Sequence, residues 1–224
     1  MSDKFTAMNT ELYAYVLAHR SERDPVLAAL AEETARLGGI GRMQVAPDQG
    51  AFMTLLVRAI GARSAIEIGT FTGYSALCIA RGLPGDGRLL CCDLSEEWTA
   101  IGRDYWNRAG LGHKIELRLG PALDTLRALP AGEQFDFAFV DADKTGYRAY
   151  YDELLTRLRP NGLILFDNVL WRGSVLSEHP ADDSTRALRE LNDAIAGDPR
   201  VESVMVPISD GLTIVRKRGA HEPR

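Results

Sequence analysis

Seven short apolar runs, regularly separated, constrain this chain more than any other feature. They lie at 65–68, 89–92, 115–119, 135–140, 163–166, 201–207 and 212–215. Between the first six, helical periodicity recurs near 73–81, 96–109, 121–128, 146–158 and 182–196. Strand–helix alternation at this spacing predicts a mostly parallel sheet with helices on both faces. The last two runs are separated only by the Ser209-Asp210-Gly211 turn, which makes a hairpin and predicts an antiparallel edge strand. Upstream, residues 8–37 read as helices. Leu12, Tyr15 and Val16 share one face, Val26, Leu27, Leu30 and Leu37 recur at helical spacing, and Asp24-Pro25 reads as a helix start. Residues 38–47 (GGIGRMQVAP) read as a glycine-rich loop, and 48–60 as a helix capped by Asp48. The expectation is one α/β domain over 1–224, with a helical extension at 1–60 that forms part of the pocket.

Composition removes several classes of function. The 31 acidic residues exceed the 26 basic ones, for a net charge of -5, so no bulk electrostatic grip on nucleic acid or anionic lipid is expected. Three cysteines are too few for a disulfide framework, and no histidine is spaced with them as in a zinc site. His19, His113, His179 and His221 read as surface or turn residues, with His19 and His179 able to approach a pocket. No apolar segment reaches the length of a membrane span, and the first residues lack a signal-peptide core. Cytoplasmic location is the default expectation.

In open parallel sheets, ligands bind beyond the carboxyl ends of the strands. Those ends here carry Glu67-Ile68-Gly69, Asp93, Asp141 and Asp167-Asn168. The turn Glu67–Ser75 lacks both the GxGxxG and the GxxxxGK[ST] spacings, so neither a dinucleotide fingerprint nor a P-loop is present. Gly69 permits close approach of a ligand, and Ser75 offers a hydroxyl or cap. Asp93, at the end of the second run, is placed to accept ribose hydroxyls. The pair points to a nucleoside-containing cofactor. Glu67 would repel a pyrophosphate but suit a sulfonium or amino group, which favours S-adenosylmethionine over a dinucleotide. The Gly120-Pro121-Ala122 turn can close over an adenine through its backbone or simply start a helix.

Asp141, Asp167 and Asn168 follow very apolar strands, and neighbouring strand ends would bring them together. Three hard oxygen donors on one side suit Mg²⁺, Mn²⁺ or Ca²⁺. Lys144 can accept a proton from an acidified hydroxyl or form a salt bridge to Asp141 or Asp143. Asp143 can orient Lys144 or reach the cofactor. Tyr147 is placed to stack on an aromatic or adenine ring. Trp171, Met43 and Phe166 can wall a flat apolar pocket, Phe166 being equally a strand-core residue, and Trp98 and Trp106 read as packing.

Together, MQVAPDQGAFM (43–53), AIEIGTFTGYSAL (65–77), CDLSEE (92–97), KIELRLGPAL (114–123), FDFAFVDADKTGYRAYYD (135–152) and LILFDNVLWRGSV (163–175) resemble the cation-dependent S-adenosylmethionine O-methyltransferases that act on vicinal phenols. These include the catechol and caffeoyl-coenzyme A enzymes, and the chain is nearer the second group. The resemblance implies a Rossmann-like seven-stranded sheet with the last strand antiparallel. It implies Met43 and Val45 at the methionine side of the pocket entrance, and Glu67, Gly69, Thr70 and Ser75 around the methionine and ribose. Asp93 would bind the ribose hydroxyls, Ala122 the adenine, and Asp143 would lie close to the cofactor. Asp141, Asp167 and Asn168 would be the ligands of Mg²⁺, and Lys144 the base or charge stabiliser. Met43, Lys144, Asn168 and Trp171 would meet a small phenolic substrate, and a homodimer is implied. Arg20, Arg23 and Arg42 are the candidates for coenzyme A phosphates. The expected acceptor is a free catechol. The alternatives are a hydroxycinnamoyl-coenzyme A ester or a polyketide-type hydroxyl and, more remotely, nicotinamide-dependent oxidoreduction.

Overall fold

The computed structural model describes residues 6–21, 24–180, 182–220 and 222, so Arg23 and His221 lie outside the described residues. Seven strands form one sheet: β1 (Ser64–Ile68), β2 (Arg88–Asp93), β3 (Ile115–Leu119), β4 (Phe135–Val140), β5 (Leu158–Asp167), β6 (Val201–Val206) and β7 (Leu212–Lys217). Their order is β3-β2-β1-β4-β5-β7-β6. β1 to β5 pair in parallel, and β7 runs antiparallel to both β5 and β6. The antiparallel strand is therefore not an edge strand, as the hairpin alone suggested. The crossover after β5 carries β6 to the edge, and the tight turn folds β7 back into the gap.

The helices are α1 (Thr10–Ala18), α2 (Pro25–Ala35), α3 (Pro47–Ala59), α4 (Tyr74–Gly82), α5 (Glu96–Arg108), α6 (Ala122–Ala128), α7 (Tyr147–Arg157) and α8 (Asp183–Gly197). Asp24 caps α2 as expected, accepting from the backbone N–H groups of Val26 and Leu27. Asp48 is not a cap. Pro47 starts α3, Asp48 falls inside the first turn, and its carboxylate accepts a 2.9 Å bond from the Tyr13 hydroxyl that docks α1 on α3. The glycine-rich loop contains a short 3-10 turn at Gly38–Met43. β5 begins at Leu158 rather than 163, with a register irregularity opposite Phe135 and Phe137.

Strand alternation divides the core into two layers. Ala65, Leu89, Cys91, Phe137, Phe139, Leu163 and Leu165 pack beneath residues of α2, α3, α4 and α5. Ile66, Ile68, Leu90, Cys92, Ala138, Val140, Ile164 and Phe166 pack against α6, α7 and α8. Fully burying each such aliphatic or aromatic side chain stabilises the fold by about 1.5–3 kcal/mol. In register, Cys92, Ile68, Val140 and Phe166 form one transverse row. The next residue on each strand is Asp93, Gly69, Asp141 and Asp167. Three of the carboxylates picked out from the sequence, Asp93, Asp141 and Asp167, thus lie with Gly69 in the row that closes the apolar sheet, with Glu67 two residues before Gly69 and Asn168 one residue beyond Asp167.

Candidate active site

Glu67 lies in the strand interior, opposite Cys91 on one side and Phe139 on the other. It is fully buried. Its Oε2 meets the Cys91 thiol at 3.5 Å, and its Oε1 has no hydrogen-bond partner among the described residues. Burial pushes its carboxyl up to about 8, while the neighbouring Ser75, Thr70 and Cys91 side chains pull the other way and the Asp93 charge adds to the rise. The Thr70 hydroxyl beside it is likewise buried and unpaired. A buried carboxylate oxygen and hydroxyl without partners among the described residues, side by side near the end of β1, can take a donor from a ligand. The amino group of a methionine moiety fits this pair.

The turn after Glu67 is shaped by glycine. Gly69 has φ +87°, and a Cβ there would drive into the Asp141 carbonyl oxygen. Gly73 has φ +79°, and a Cβ would lie 2.7 Å from the Trp106 ring. Phe71 occupies the left-handed region at φ 50°. Asp93 holds this conformation. Its Oδ2 accepts from the N–H groups of Thr70 and Phe71, both at 2.8 Å, and Oδ1 accepts from Ser95 N–H at 2.8 Å. A carboxylate has about four acceptor positions, so one is left for a ribose hydroxyl. Asp93 is therefore also a structural residue, which the sequence did not reveal. Trp98, read as packing, is half-buried and meets Phe71 edge-on at 5.1 Å. Trp106 does pack, donating to the Gly73 carbonyl. Ala122 is buried at the first position of α6, after Pro121. Val45 is buried, and Met43 is 53% exposed at the end of the 3-10 turn.

Beyond β4, Lys144 is buried, with Nζ 2.9 Å from Asp141 Oδ1 and 2.6 Å from the Tyr147 hydroxyl oxygen. Of the two salt bridges open in the sequence, it forms the one with Asp141. Asp143 instead accepts from the Tyr150 hydroxyl at 2.7 Å. Tyr147 is fully buried. Its ring packs on Phe166, and its hydroxyl lies within reach of the Val140 and Asp167 carbonyl oxygens. The expected stacking on a ligand ring does not fit this placement. One helical turn after Lys144, the side chain enters the core and braces the lysine from below. Phe166 is core as well. Trp171 is half-buried, with its ring centroid 5.8 Å from Lys144 Nζ.

Asp167 is buried, and burial together with the Asp141 charge raises its carboxyl to about 7, with Gln49, the Asn168 N–H and Lys144 opposing. Asn168, half-exposed, adopts φ 57°, a left-handed conformation that asparagine tolerates. The β6–β7 turn holds the segment in place. Val169 N–H donates to Gly211 O, Leu170 N–H to Asp210 O and Arg172 N–H to Asp210 Oδ1. Among the described residues no three His, Cys, Asp or Glu side chains form a metal-binding group. The third donor here is an amide oxygen. Two adjacent carboxylates and one amide, all hard oxygen donors, fit a divalent cation such as Mg²⁺ and not a soft metal.

His19 caps α1 and stacks on Tyr15 at 3.9 Å, and His179 is exposed. Arg20 donates to the carbonyls of Leu17 and Pro47, whereas Arg42 is exposed. Two clefts, of about 280 and 200 Å³, lie around Arg103, Trp106 and Ile115 and around Ala65, Arg88 and Phe135, and neither touches the rim carboxylates. No helix among the described residues is long and apolar enough to cross a membrane.

A family model described as O-methyltransferase matches residues 18–218. The chain is 41% identical over 218 residues to caffeoyl-CoA O-methyltransferase 2 of Zea mays, covering 92% of this chain and 83% of that protein. It is 40% identical over 209 residues to catechol O-methyltransferase domain-containing protein 1 of Mus musculus, covering 92% and 79%. An O-methyltransferase from Bacillus cereus, solved in complex with SAH, superposes with a TM-score of 0.85 at 34% identity, covering 93% of this chain and 98% of that one.

Proposed function

The chain belongs to the O-methyltransferase family as an S-adenosylmethionine-dependent enzyme related to the caffeoyl-coenzyme A and catechol methyltransferases, and from that premise we propose its acceptor and chemistry. The acceptor is a vicinal diphenol carried on a hydroxycinnamoyl-coenzyme A type of ester. The names of the plant relatives carry this choice, and they favour the ester over the free catechol that the sequence placed first. A free catechol remains the second reading, because Arg20 already gives two of its donors to backbone carbonyls, which leaves fewer for a coenzyme A phosphate. Family membership sets aside nicotinamide chemistry. The proposal includes the homodimer, which sedimentation would measure.

When bound, S-adenosylmethionine supplies the sulfonium methyl, and a divalent cation favours the phenolate of a phenol whose pKa is otherwise about 10. Asp141, Asp167 and Asn168 would hold that cation, with Mg²⁺ first and Mn²⁺ or Ca²⁺ as alternatives. Glu67 and Thr70 take the ammonium, Ser75 borders the methionine, and Asp93 offers its remaining lone pair to the ribose. Gly69 lets the cofactor approach the backbone, and Ala122 borders the adenine. Asp143, steadied by Tyr150, faces the same groove. Met43 and Val45 border the entrance, and Trp171 gives the acceptor ring an apolar wall. Lys144, fixed between Asp141 and Tyr147, either takes the phenolic proton as the free amine or, as the ammonium, balances the charge of the phenolate. Two oriented hydroxyls are needed, so an acceptor with one hydroxyl is poor. Orientation of this kind can lower a barrier by several kcal/mol, about 7–11 in the best intramolecular cases.

The test incubates the full chain with labelled S-adenosylmethionine, Mg²⁺ and four acceptors: a dihydroxycinnamoyl-coenzyme A ester, its free acid, catechol and a monohydroxyl analogue. The ester is expected to turn over best, the monohydroxyl compound least, and a chelator should abolish transfer. Asp141→Ala is expected to lose roughly 100-fold or more in cation-stimulated rate while still binding cofactor. Full activity in chelator would sink the cation reading.

A further inference from the structure

Gln49 sits near the start of α3, fully buried, and neither its Nε2 nor its Oε1 has a hydrogen-bond partner among the described residues. A buried amide with both atoms unpaired is costly, and native chains rarely keep one without a partner to come. Its surroundings show which partner. Gln49, Met53 and Val57 follow at four-residue spacing on one face of α3. Met53 and Val57 join the core layer that contains Leu165. Asp167 lies two residues beyond Leu165 and so faces the same side of the sheet. Arg159, at the start of β5, donates to the carbonyl of Ile60, the residue that closes α3, at 3.3 Å, so α3 runs back over β5 and Gln49, near its opposite end, comes over the rim at Asp167. Gly50 locks the arrangement. A Cβ there would lie 2.7 Å from the Cys78 Sγ, so α3 rides tightly on α4 and the backbone that carries Gln49 is fixed.

We propose that Gln49 is a positioning residue for the candidate cation site, donating from Nε2 to the Asp167 carboxylate and accepting at Oε1 an O–H of the molecule bound beside the cation. The amide is then fully paired only when the site is loaded. This goes beyond the proposed function and rests on its cation reading. Ligand carboxylates depend on such supporting bonds, and removing one typically weakens metal binding 10–100-fold, by roughly the same range expected here.

The experiment uses the full chain saturated with S-adenosylhomocysteine and titrates Mn²⁺ by calorimetry and electron paramagnetic resonance. Gln49→Met keeps the length and apolar packing of the side chain, and Gln49→Leu serves as a second variant. The expected result is Mn²⁺ affinity at least roughly 10-fold weaker, with S-adenosylhomocysteine affinity and thermal midpoint retained. Parent-like Mn²⁺ affinity in either folded variant overturns the proposal. An equal loss of Mn²⁺ and S-adenosylhomocysteine affinity also overturns it, because a general shift of α3 would do that. If the parent chain itself takes up no Mn²⁺, the cation reading falls first and this role falls with it.

Discussion

Replacing Glu67 by glutamine keeps the shape of a fully buried side chain and removes its proton equilibrium. The consequence can be worked from its surroundings. In the folded, ligand-free chain the carboxyl titrates at about 8, against an ordinary 4.5, chiefly because burial penalises its charge. Below 4.5 both folded and unfolded chains hold the proton. Between 4.5 and about 8 the unfolded chain has lost it and the folded chain has not, so folding binds a proton and stability falls as pH rises. At about 1.4 kcal/mol per pH unit, the whole window amounts to about 5 kcal/mol, fully lost above the folded value. The Cys91 and Cys78 thiols near Glu67 are held above their ordinary range by burial and stay neutral throughout. Urea denaturation of the ligand-free parent and of Glu67→Gln, from pH 5 to 8.5, isolates the effect, because other titrating groups are common to both. The variant should match the parent near pH 5 and exceed it by several kcal/mol near pH 8. Saturating S-adenosylhomocysteine, whose ammonium would pair with the ionised carboxylate, should flatten the parent's slope. Two stability profiles that run parallel across the range would refute the reasoning.

Asp93→Ala strips the acceptor from three backbone N–H groups, so the ligand-free chain should lose about 2–4 kcal/mol in urea denaturation as well as cofactor affinity; an unchanged midpoint would contradict the bracing role. Gly69→Ala combines a left-handed φ with a collision at the Asp141 carbonyl and should cost about 2 kcal/mol or more, read as a lower thermal midpoint, with cofactor binding impaired. Tyr147→Phe removes the hydroxyl beneath Lys144 and should cost about 1–2 kcal/mol in stability and lower kcat with cofactor affinity retained; a parent-like kcat would separate the hydroxyl from the chemistry.

Much of the architecture was legible because apolar alternation and helical spacing are strong, repeated signals. The carboxylates at strand ends stood out for the same reason, each following an uninterrupted apolar run. What escaped was decided by tertiary placement. The Pro160-Asn161-Gly162 segment has the composition of a turn, yet it lies inside β5, where register with β4 shifts. Asp48 has the chemistry of a cap, but Pro47 takes the first helical position and leaves it to bind Tyr13. Tyr147 has the chemistry of a stacking residue, but its register on α7 turns it into the layer with Phe166. Gln49 carries no signal of its own in the sequence, and only its burial without partners among the described residues marks it. The hairpin predicted the direction of β7 but not its neighbours, because strand order depends on where α8 carries the chain.

Because Asp93, Gly69, Asp141 and Asp167 succeed a single hydrogen-bonded row, their mutual spacing is inherited from the pitch of the sheet, about 4.8 Å between neighbouring strands. In the proposed function, the segments that would border the acceptor, around Met43 and Trp171, lie outside that row. On that reading, acceptor recognition and methyl transfer would draw largely on separate parts of the backbone. A lineage, or an engineer, can recut the mouth for a new phenol while the distances that govern methyl transfer stay where the backbone ladder puts them.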